Sequence, residues 1–308
     1  MTVLGIDVGG TNIKAGRVDE SGVVHDATTV ETPAEGGPDA ILETIVTTVN
    51  LFATTGDIDA IGIGFPGVVD ADGVVHHPPN LKSWTSVHVK ALLEERLHKH
   101  IVVENDANAA AIAEADGGAG RDVSDFLYAT LGTGVGGCVI INRKIYRGPT
   151  GGAGEIGHII VDINSKSSST GYAWRAGTVE EFAGRDGRIS YYRNLTEETA
   201  SISELVRRLT AGDRHAAATF EMLASYLAAG FASALAVLGM STLIVGGGIV
   251  EAYPPLLPLI RTRLLERALP SIADHLDVRK ATFGNQAGII GAAFLARRAI
   301  SENENRTP

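Results

Sequence analysis

Asp7-Val8-Gly9-Gly10-Thr11-Asn12-Ile13-Lys14 is the stretch that decides the fold. It follows the apolar run Val3-Leu4-Gly5-Ile6, and together they predict a strand, a glycine turn and a second strand. Glycine has no Cβ, so the backbone N–H groups of such a turn can approach a phosphate closely. Asp7, at the end of the first strand, can hold a metal ion directly or through water. The segment therefore predicts a hairpin that binds phosphate.

The same pattern recurs later in the chain. Asp125–Leu131 is a predicted strand, Gly132-Thr133-Gly134 a glycine turn, and Val135–Ile141 a second strand. Another apolar strand, Thr242–Val245, runs into Gly246-Gly247-Gly248. A single glycine turn is weak evidence, and neither hairpin matches a Walker A loop or a Rossmann fingerprint. Three such turns in order favour a duplicated α/β architecture whose halves enclose a ligand cleft.

Composition excludes several classes of protein. The 308 residues are 44% hydrophobic, enough for a large core in one or two domains. A formal net charge of -10 without a basic cluster argues against a nucleic-acid partner. The single cysteine, Cys138, excludes an intrachain disulfide and a cysteine-rich metal site.

We also expect a cytoplasmic protein with no membrane partner. The N-terminus enters a strand directly, without the charged and apolar regions of a signal peptide. The longest apolar stretch, Tyr226–Met240, is shorter than the roughly 20 residues that span a bilayer. It is predicted to be a buried helix.

Asn105-Asp106 lies between a short predicted strand, Ile101–Val103, and a predicted helix, Ala107–Ala115. Asn and Asp are common helix N-caps. An Asp at the carboxyl end of a strand can also act as a general base and accept a proton from a hydroxyl. These residues alone leave both interpretations open.

A second polar group follows the glycine-rich run Gly151-Gly152-Ala153-Gly154. In Glu155-Ile156-Gly157-His158 a carboxylate and an imidazole stand three residues apart, so both can face one small polar ligand. Taken alone, such a sequence is more often an ordinary surface turn.

Together these motifs resemble the ROK family of sugar kinases and repressors, from Val3 to about Arg298. The resemblance implies an actin-like ATPase (ribonuclease H-like) fold, with two α/β domains around a central cleft. The smaller domain would comprise residues 1–116 and 289–308, and the larger one residues 117–288. The segments that carry the resemblance are Asp7–Asn12, Gly64–Gly67, Asn80-Leu81, Glu104–Ala109, Leu131–Gly137, Gly154–His158 and Val245–Gly248.

The resemblance also implies a role for each motif. Asp106 would be the base that takes the proton from the sugar hydroxyl, normally the one at C6. Asp7 would lie near Mg²⁺, through water. The residues expected to contact the sugar are Gly67, Asn80, Asn105, Asp106, Glu155, His158 and Glu180. The residues expected to contact ATP are Gly9, Gly10, Thr11, Asn12, Thr133, Gly134, Gly247 and Gly248.

The chain departs from the family at a zinc loop of the pattern Cys-x-Cys-Gly-x-x-Gly-Cys-x-Glu. Gly171, Ala173 and Thr178 stand where the three thiolates would be, whereas Gly177 and Glu180 are kept. None of the three replacements is a zinc ligand, and one histidine cannot hold structural zinc. We therefore expect no zinc, and a loop held by packing of Tyr172 and Trp174.

The predicted function is transfer of the ATP γ-phosphoryl group to a hexose hydroxyl, with glucose O6 as the acceptor. The alternatives are an N-acetylmannosamine, N-acetylglucosamine or fructose kinase, and a glucokinase that uses polyphosphate. A sugar-responsive repressor would carry a helix-turn-helix domain before the first phosphate motif, for which Asp7 leaves no room. A polymerising actin-like protein would have no use for Asn105-Asp106. Relatives are commonly homodimers, and we expect the same here.

Overall fold

The computed structural model describes residues 2–78, 81, 83–165 and 173–304. These residues group into two compact units. The first unit comprises Met1–Val123, Arg143–Ala153 and Asn285–Pro308, and the second comprises Ser124–Asn142 and Gly154–Gly284. Each unit has its own hydrophobic core, with Ile6 and Ile63 buried in the first and Leu127 and Phe231 in the second.

The described residues form both strands and helices. The strands are β1 (Val3–Val8), β2 (Asn12–Val18), β3 (Val24–Glu31), β4 (Ala60–Phe65), β5 (Val68–Val69), β6 (Val75–His76), β7 (Ser86–Val87), β8 (His100–Asn105), β9 (Phe126–Leu131), β10 (Val135–Ile141), β11 (Lys144–Ile145), β12 (Thr242–Gly246) and β13 (Asp277–Lys280). The helices are α1 (Gly37–Ala53), α2 (Val89–Leu97), α3 (Asp106–Asp116), α4 (Val179–Ala183), α5 (Arg185–Thr196), α6 (Ile202–Thr210), α7 (Arg214–Leu238), α8 (Gly248–Ala252), α9 (Leu256–Leu265), α10 (Pro270–Ala273) and α11 (Ala287–Glu304). Single 3₁₀ turns occur at Ala34–Gly36, Ile156–His158, Ala173–Arg175 and Gly284–Gln286.

The first unit is built on a sheet with strand order β3-β2-β1-β4-β8. The opening segment forms the predicted hairpin, with β1 antiparallel to β2 and Asp7 opposite Lys14. Strands β1, β4 and β8 are parallel, and Asp7 is aligned with Gly64, which is aligned with Glu104. The carboxyl ends of parallel strands meet at one edge of a sheet. Asp7, the penultimate residue of β1, and Asp106, directly after β8, therefore both lie at that edge.

The second unit repeats this arrangement, which confirms the predicted duplication. Strands β10, β9, β12 and β13 lie side by side in that order. Strand β9 is antiparallel to β10 and parallel to β12. Gly246 is aligned with Thr130, so the turn after β9 and the glycines after β12 share one edge of the sheet.

Helix α11 packs directly on the backbone of the first sheet. Glycines on both sides of this contact make it possible. A Cβ at Gly62 would overlap the backbone carbonyl of Ala292, and one at Gly291 would overlap the Ala109 carbonyl in α3. The C-terminal segment is therefore an integral part of the first unit.

Most predicted elements are confirmed within one or two residues. The apolar run Ala60–Phe65 predicts a buried strand and forms β4. The helix-spaced apolar residues between Pro38 and Thr54 predict a helix, and α1 runs from Gly37 to Ala53. The short runs Val23-Val24 and Thr29-Val30 each predict strand, and the structure places Val24 and Val30 in one continuous strand, β3. Its hydrophobic pattern is interrupted because Asp26 has a left-handed φ of 50°, and the pairing with β2 is irregular between Ala15 and Arg17.

Helix α7 contains most of the apolar stretch that the sequence predicts to be a buried helix. It has 25 residues and a mean hydropathy of 1.6 in its most apolar window, so length and composition alone would allow it to cross a membrane. Of that window, 56% is buried inside the structure, as in the core helices of soluble proteins, which pass the same test. Its length and composition are therefore weak evidence for a membrane span.

Candidate active site

The first glycine turn is held by a hydrogen bond within the turn and by two from Thr32, the residue after β3. Gly9 N donates to Asn12 O at 2.9 Å, and Thr32 N donates to Thr11 O at 2.9 Å. The Thr32 hydroxyl donates to Gly9 O at 2.7 Å. The side chains of Thr11 and Asn12 remain exposed. Beside this turn lies a pocket of about 460 Å³, lined by Gly10, Thr11, Glu31, Thr32, Pro33, Ala34, Glu35 and Gly36.

Asp7 lies under this turn with its carboxylate against the first turn of α11. A Cβ at Gly288 would be 2.7 Å from Asp7 Cγ. The positive end of a helix favours a carboxylate. Burial nevertheless raises the pKa of Asp7, and Lys14 acts in the opposite direction. A cation beside Asp7 would compensate this buried charge.

The oxygen chemistry at Asp7 fits Mg²⁺. In the described parts of the chain, no cluster of three or more His, Cys, Asp or Glu side chains could hold a metal. Mg²⁺ does not need one, because it commonly binds through one or two carboxylates, waters and the phosphates of a substrate. Asp7, a carboxylate next to the first glycine turn, fits such a partial site.

The structure separates the two interpretations of Asn105-Asp106. Asn105 is the N-cap of α3, and its Oδ1 accepts from Asn108 N at 2.9 Å. Asp106 is the first helical residue, and its Oδ1 accepts from Ala107 N at 2.8 Å and from Asn105 Nδ2 at 3.1 Å. Asn105 thus does the capping. A carboxylate in this position can accept a proton from a hydroxyl.

Gly67 anchors this segment from a neighbouring loop. Its carbonyl accepts from Asn105 Nδ2 at 2.9 Å. Its φ is +91°, and a Cβ there would lie 2.9 Å from Pro78 Cα and 3.0 Å from His76 O. Glycine is therefore required for the carbonyl to point at Asn105. Asn80, the other predicted sugar ligand of this region, lies outside the described residues.

Next to Asp106 lies an ion pair between the buried Glu104 and the partly exposed Arg147, which the sequence analysis missed. The Glu104 Oε1 accepts from Asn105 N and Asn108 Nδ2, both at 2.9 Å. Its Oε2 accepts from Arg147 Nε at 3.0 Å and also from Arg147 Nη2. The sequence could have pointed to Glu104, because it is a carboxylate in an apolar strand directly before Asn-Asp. Nothing in the sequence pointed to Arg147, 43 residues away.

In the second unit, the turn after β9 is closed by a bond from Gly132 N to Gly134 O at 3.0 Å. The Thr133 side chain is exposed. Val135 N donates to Glu180 Oε2 at 2.9 Å, and Arg175 forms an ion pair with the other oxygen of Glu180. The structure therefore places Glu180, predicted to contact sugar, against the predicted phosphate turn.

The predicted nucleotide segment after β12 packs on the same turn. Gly247 has a φ of +100°, and a Cβ there would lie within 2.7 Å of three backbone atoms of Leu131. Helix α8 begins at the exposed Gly248. The structure thus brings Thr133, Gly134, Gly247 and Gly248 to one edge of the second sheet.

Glu155 and His158 lie together on the 3₁₀ turn at Ile156–His158. His158 Nε2 is 3.8 Å from Glu155 Oε2. Burial raises the pKa of Glu155, and His158 opposes that shift. The His158 ring packs against Trp174 with 5.2 Å between ring centroids. Its Nδ1 is buried and has no hydrogen-bond partner among the described residues.

Hydrogen bonds connect the described parts of the loop that departs from the zinc pattern. Thr178 caps α4, accepting from Glu181 N at 3.2 Å, and its hydroxyl donates to Arg175 O at 2.8 Å. Glu181 Oε2 accepts from Gly177 N and from the Ser165 hydroxyl, the latter at 3.2 Å. Trp174 contacts His158, as noted above, whereas Gly171 and Tyr172 lie outside the described residues.

Glu181→Ala is expected to loosen this loop. The change removes the one carboxylate that joins Ser165 to Gly177. Local opening should become more frequent, and limited proteolysis between residues 165 and 177 should be about fivefold faster or more. Asp274→Ala, at an exposed acidic residue of the same unit, is the control. Equal cleavage rates in the two variants would contradict this role of Glu181.

A model of the ROK family matches residues 3–299 of this chain. The chain belongs to the ROK family. Relatives of this ROK protein include the glucokinase of Halalkalibacterium halodurans, 32% identical over 322 residues that cover 98% of this chain and 96% of the relative. The N-acetylmannosamine kinase of Escherichia fergusonii is 31% identical over 300 residues, covering 96% of this chain and 99% of the relative.

A solved structure extends the comparison to the fold. The crystal structure of a ROK family glucokinase from Streptomyces griseus, in complex with glucose and AMPPNP, matches with a TM-score of 0.84. It is 33% identical and covers 97% of this chain and 100% of that chain. The ROK protein described here therefore has the actin-like ATPase fold of the ROK kinases, as the sequence predicts.

Proposed function

We propose that this protein transfers the γ-phosphoryl group of ATP to the O6 hydroxyl of glucose. It is a sugar kinase of the ROK family, because relatives about 30% identical over nearly the whole chain are sugar kinases. The observation that carries the proposal is the position of Asp106. Asn105 caps α3, and Asp106 begins that helix at the sheet edge that also bears Asp7 and the first glycine turn.

We assign the proton transfer to Asp106, which would accept the proton of the attacking sugar hydroxyl. Asn105, Glu155, His158 and the undescribed Asn80 would hold the other hydroxyls. A polar site of this kind rejects sugars that lack a hydroxyl, because its own buried groups are then left unpaired. Glu104 would keep Asn105 and Asp106 in place through the bonds described above.

The pocket beside Gly10 and Thr11 supports ATP rather than polyphosphate as the donor. Its eight lining residues include Glu31 and Glu35 and no Lys or Arg. A long polyanion needs clustered positive charge, which this pocket lacks. We propose that Asp7 holds Mg²⁺ with the donor phosphates. Bound Mg²⁺ neutralises charge that develops on the phosphates during transfer.

A second candidate substrate is N-acetylmannosamine. The N-acetylmannosamine kinase is nearly as similar to this chain as the glucokinase, at 31% against 32% identity. The loop before Glu180 also differs from the zinc-binding pattern, and in the structure Glu180 is engaged by Arg175 and Val135. Because of these two differences, the surroundings of Glu180 near the proposed sugar ring differ from those in a zinc-containing member.

A coupled phosphorylation assay tests the proposal. It would combine glucose, fructose, mannose, N-acetylglucosamine and N-acetylmannosamine with ATP and, separately, with polyphosphate. We expect the highest kcat/KM for glucose with ATP. A higher kcat/KM for N-acetylmannosamine would establish the second candidate. Absence of phosphorylation for every sugar would overturn the kinase proposal, and faster turnover with polyphosphate would overturn the choice of donor.

The pKa of Glu155 gives the assay a pH signature. Ionised Glu155 can accept from sugar hydroxyls, and its pKa lies above the ordinary value of 4.5. When the pH is lowered, the KM for sugar should therefore begin to rise at a higher pH than it would if Glu155 had the ordinary glutamate pKa. Glu155→Gln should raise KM at pH 7 and remove that rise.

The rise in KM at low pH would not come from unfolding caused by protonation of Glu155. A carboxyl group whose pKa is higher in the folded state favours folding at low pH, and this contribution is lost as pH rises through the folded pKa. Protonation of Glu155 therefore does not unfold the protein. If the KM of wild type and the KM of Glu155→Gln change identically with pH, the proposed role of Glu155 is contradicted.

We further propose that the two compact units are the two domains predicted from sequence, with Arg143–Ala153 joining the first. The homodimer, the cytoplasmic location and the absence of nucleic-acid and membrane partners stay predictions. The negative net charge of -10 supports the absence of nucleic acid. Light scattering of the purified protein would test the dimer.

A further inference from the structure

Arg188, in the first turn of α5, is the largest fully buried side chain of the described residues and is only 2% exposed. Its Nη2 donates to Gly132 O at 2.7 Å. Its Nε and Nη1 are buried without a hydrogen-bond partner in the described part of the chain. The guanidinium thus lies directly behind the second glycine turn with two donors unused.

The charge of Arg188 is uncompensated as well as buried. Burial, with a smaller contribution from Arg185, lowers its pKa to about 10, and Asp186 opposes the shift. At neutral pH the group therefore remains a cation. Asp186 forms its ion pair with Arg185 instead, and none of the described carboxylates lies within ion-pair distance of Arg188. A buried charge without a partner is unfavourable, so an anion from outside the chain would stabilise it.

The start of α5 also fixes the orientation of the glycine turn. Arg188 binds the carbonyl of Gly132, and Arg185 N donates to the carbonyl of Thr133 at 2.8 Å. In a planar trans peptide the C=O and the following N–H point in opposite directions. The N–H groups of Thr133 and Gly134 therefore point away from α5. The turn therefore has two N–H donors on one side and the buried Arg188 cation on the other. This combination favours the binding of a polyanion.

We propose that Arg188 is a positioning residue for the phosphates of the nucleotide. It holds the Gly132–Gly134 turn so that its N–H groups face the phosphates, and its buried charge is neutralised when they bind. This inference rests on the proposed function, since it takes the ligand of the turn to be a nucleoside di- or triphosphate. The residue is not part of any glycine motif, which is why the sequence analysis missed it.

The inference predicts a selective loss in Arg188→Met. ADP binding should weaken by about tenfold, as expected for loss of one cation near a polyanion in a poorly solvated site. Adenosine, which has no phosphate, should bind with unchanged affinity. The melting temperature without ligand should stay close to that of wild type, because Met removes an uncompensated buried charge along with one hydrogen bond.

Two further variants separate charge from structure. Arg188→Lys keeps the charge, so it should recover most of the ADP affinity. Arg193→Met removes a positive charge from the exposed end of the same helix and should bind ADP and adenosine as wild type does. Isothermal titration with ADP and with adenosine, together with thermal unfolding with and without ADP, measures all four proteins.

The outcomes distinguish this inference from the proposed function. If wild type does not bind ADP, the proposed function itself fails. If wild type binds ADP and Arg188→Met binds it equally well, or loses ADP and adenosine to the same extent, the inference is overturned. Failure of Arg188→Met to fold would contradict its expected stability and assign Arg188 a structural role. If Arg188→Met does not fold, Arg188→Lys still tests the role of charge. An Arg188→Lys protein with wild-type stability but weakened ADP binding would contradict that role.

Discussion

Asp106→Asn is expected to lower kcat by about 10³-fold, within the range of roughly 10² to 10⁴ for loss of a general base. An amide cannot accept the proton of the sugar hydroxyl. It can still accept the bond from Ala107 N that the carboxylate accepts at 2.8 Å, so the start of α3 should keep its geometry. The KM for sugar should change far less than kcat, because the substitution affects the transition state more than sugar binding.

Initial rates with saturating glucose and ATP measure this effect, and thermal unfolding confirms that the variant is folded. Asp72→Asn, at an exposed aspartate of the same unit, removes the same charge at a distance from the proposed chemistry and is the matched control. Turnover by Asp106→Asn within threefold of the control would exclude Asp106 as the base. An equal loss in both variants would attribute the effect to net charge.

Gly291→Ala is expected to cost about 3 kcal/mol of unfolding free energy or more, the upper part of the range for overpacking in a core. The added Cβ would overlap the carbonyl of Ala109 and lie 3.2 Å from its Cα. Both atoms belong to the backbone of α3, so no side chain can turn aside to make room. Helix α11 would have to move away from α3, and its contact with Gly62 would open as well.

Denaturation in guanidinium chloride, followed by circular dichroism, measures this loss. Gly248→Ala is the matched control, because a Cβ there meets nothing within 4 Å and its φ is not left-handed. Alanine also has a higher helix propensity than glycine, so this control should be neutral or slightly stabilising. Similar midpoints for the two variants would show that α11 can shift without cost and would refute the close packing.

The parts of the fold that depend on neighbours in sequence were predictable. An apolar run followed by glycines specifies a strand and a turn locally, which is why β1, β4 and β9 and the turns after β1 and β9 are confirmed. The interruption in β3 was not predictable, because Asp26 adopts a left-handed φ only to accommodate the irregular pairing with β2. That pairing is a property of the sheet and leaves no local pattern.

The site shows the same division between local and distant contacts. Asn105 caps α3 through a local bond from Asn108 N, whereas its bond to Gly67 O joins residues 38 positions apart. The bonds from Arg147 to Glu104 and from Arg188 to Gly132 join residues 43 and 56 positions apart, and arginines in such places carry no motif. Glu180 was assigned to the sugar from its motif, yet its carboxylate accepts from Val135 N in the turn. The role of Glu180 in binding sugar stays a prediction.

The packing of α11 on the first sheet has a consequence for biosynthesis. Residues 287–304 complete the first unit, but the ribosome makes them after the entire second unit. At roughly 5 to 20 residues per second, the face of β1 and β4 stays uncovered for about ten seconds or longer after those strands have emerged. The second unit has all its residues before α11 is made and can fold during that interval. The segment of the chain that is translated first is therefore completed last, and it is the nascent surface that a chaperone has most time to meet.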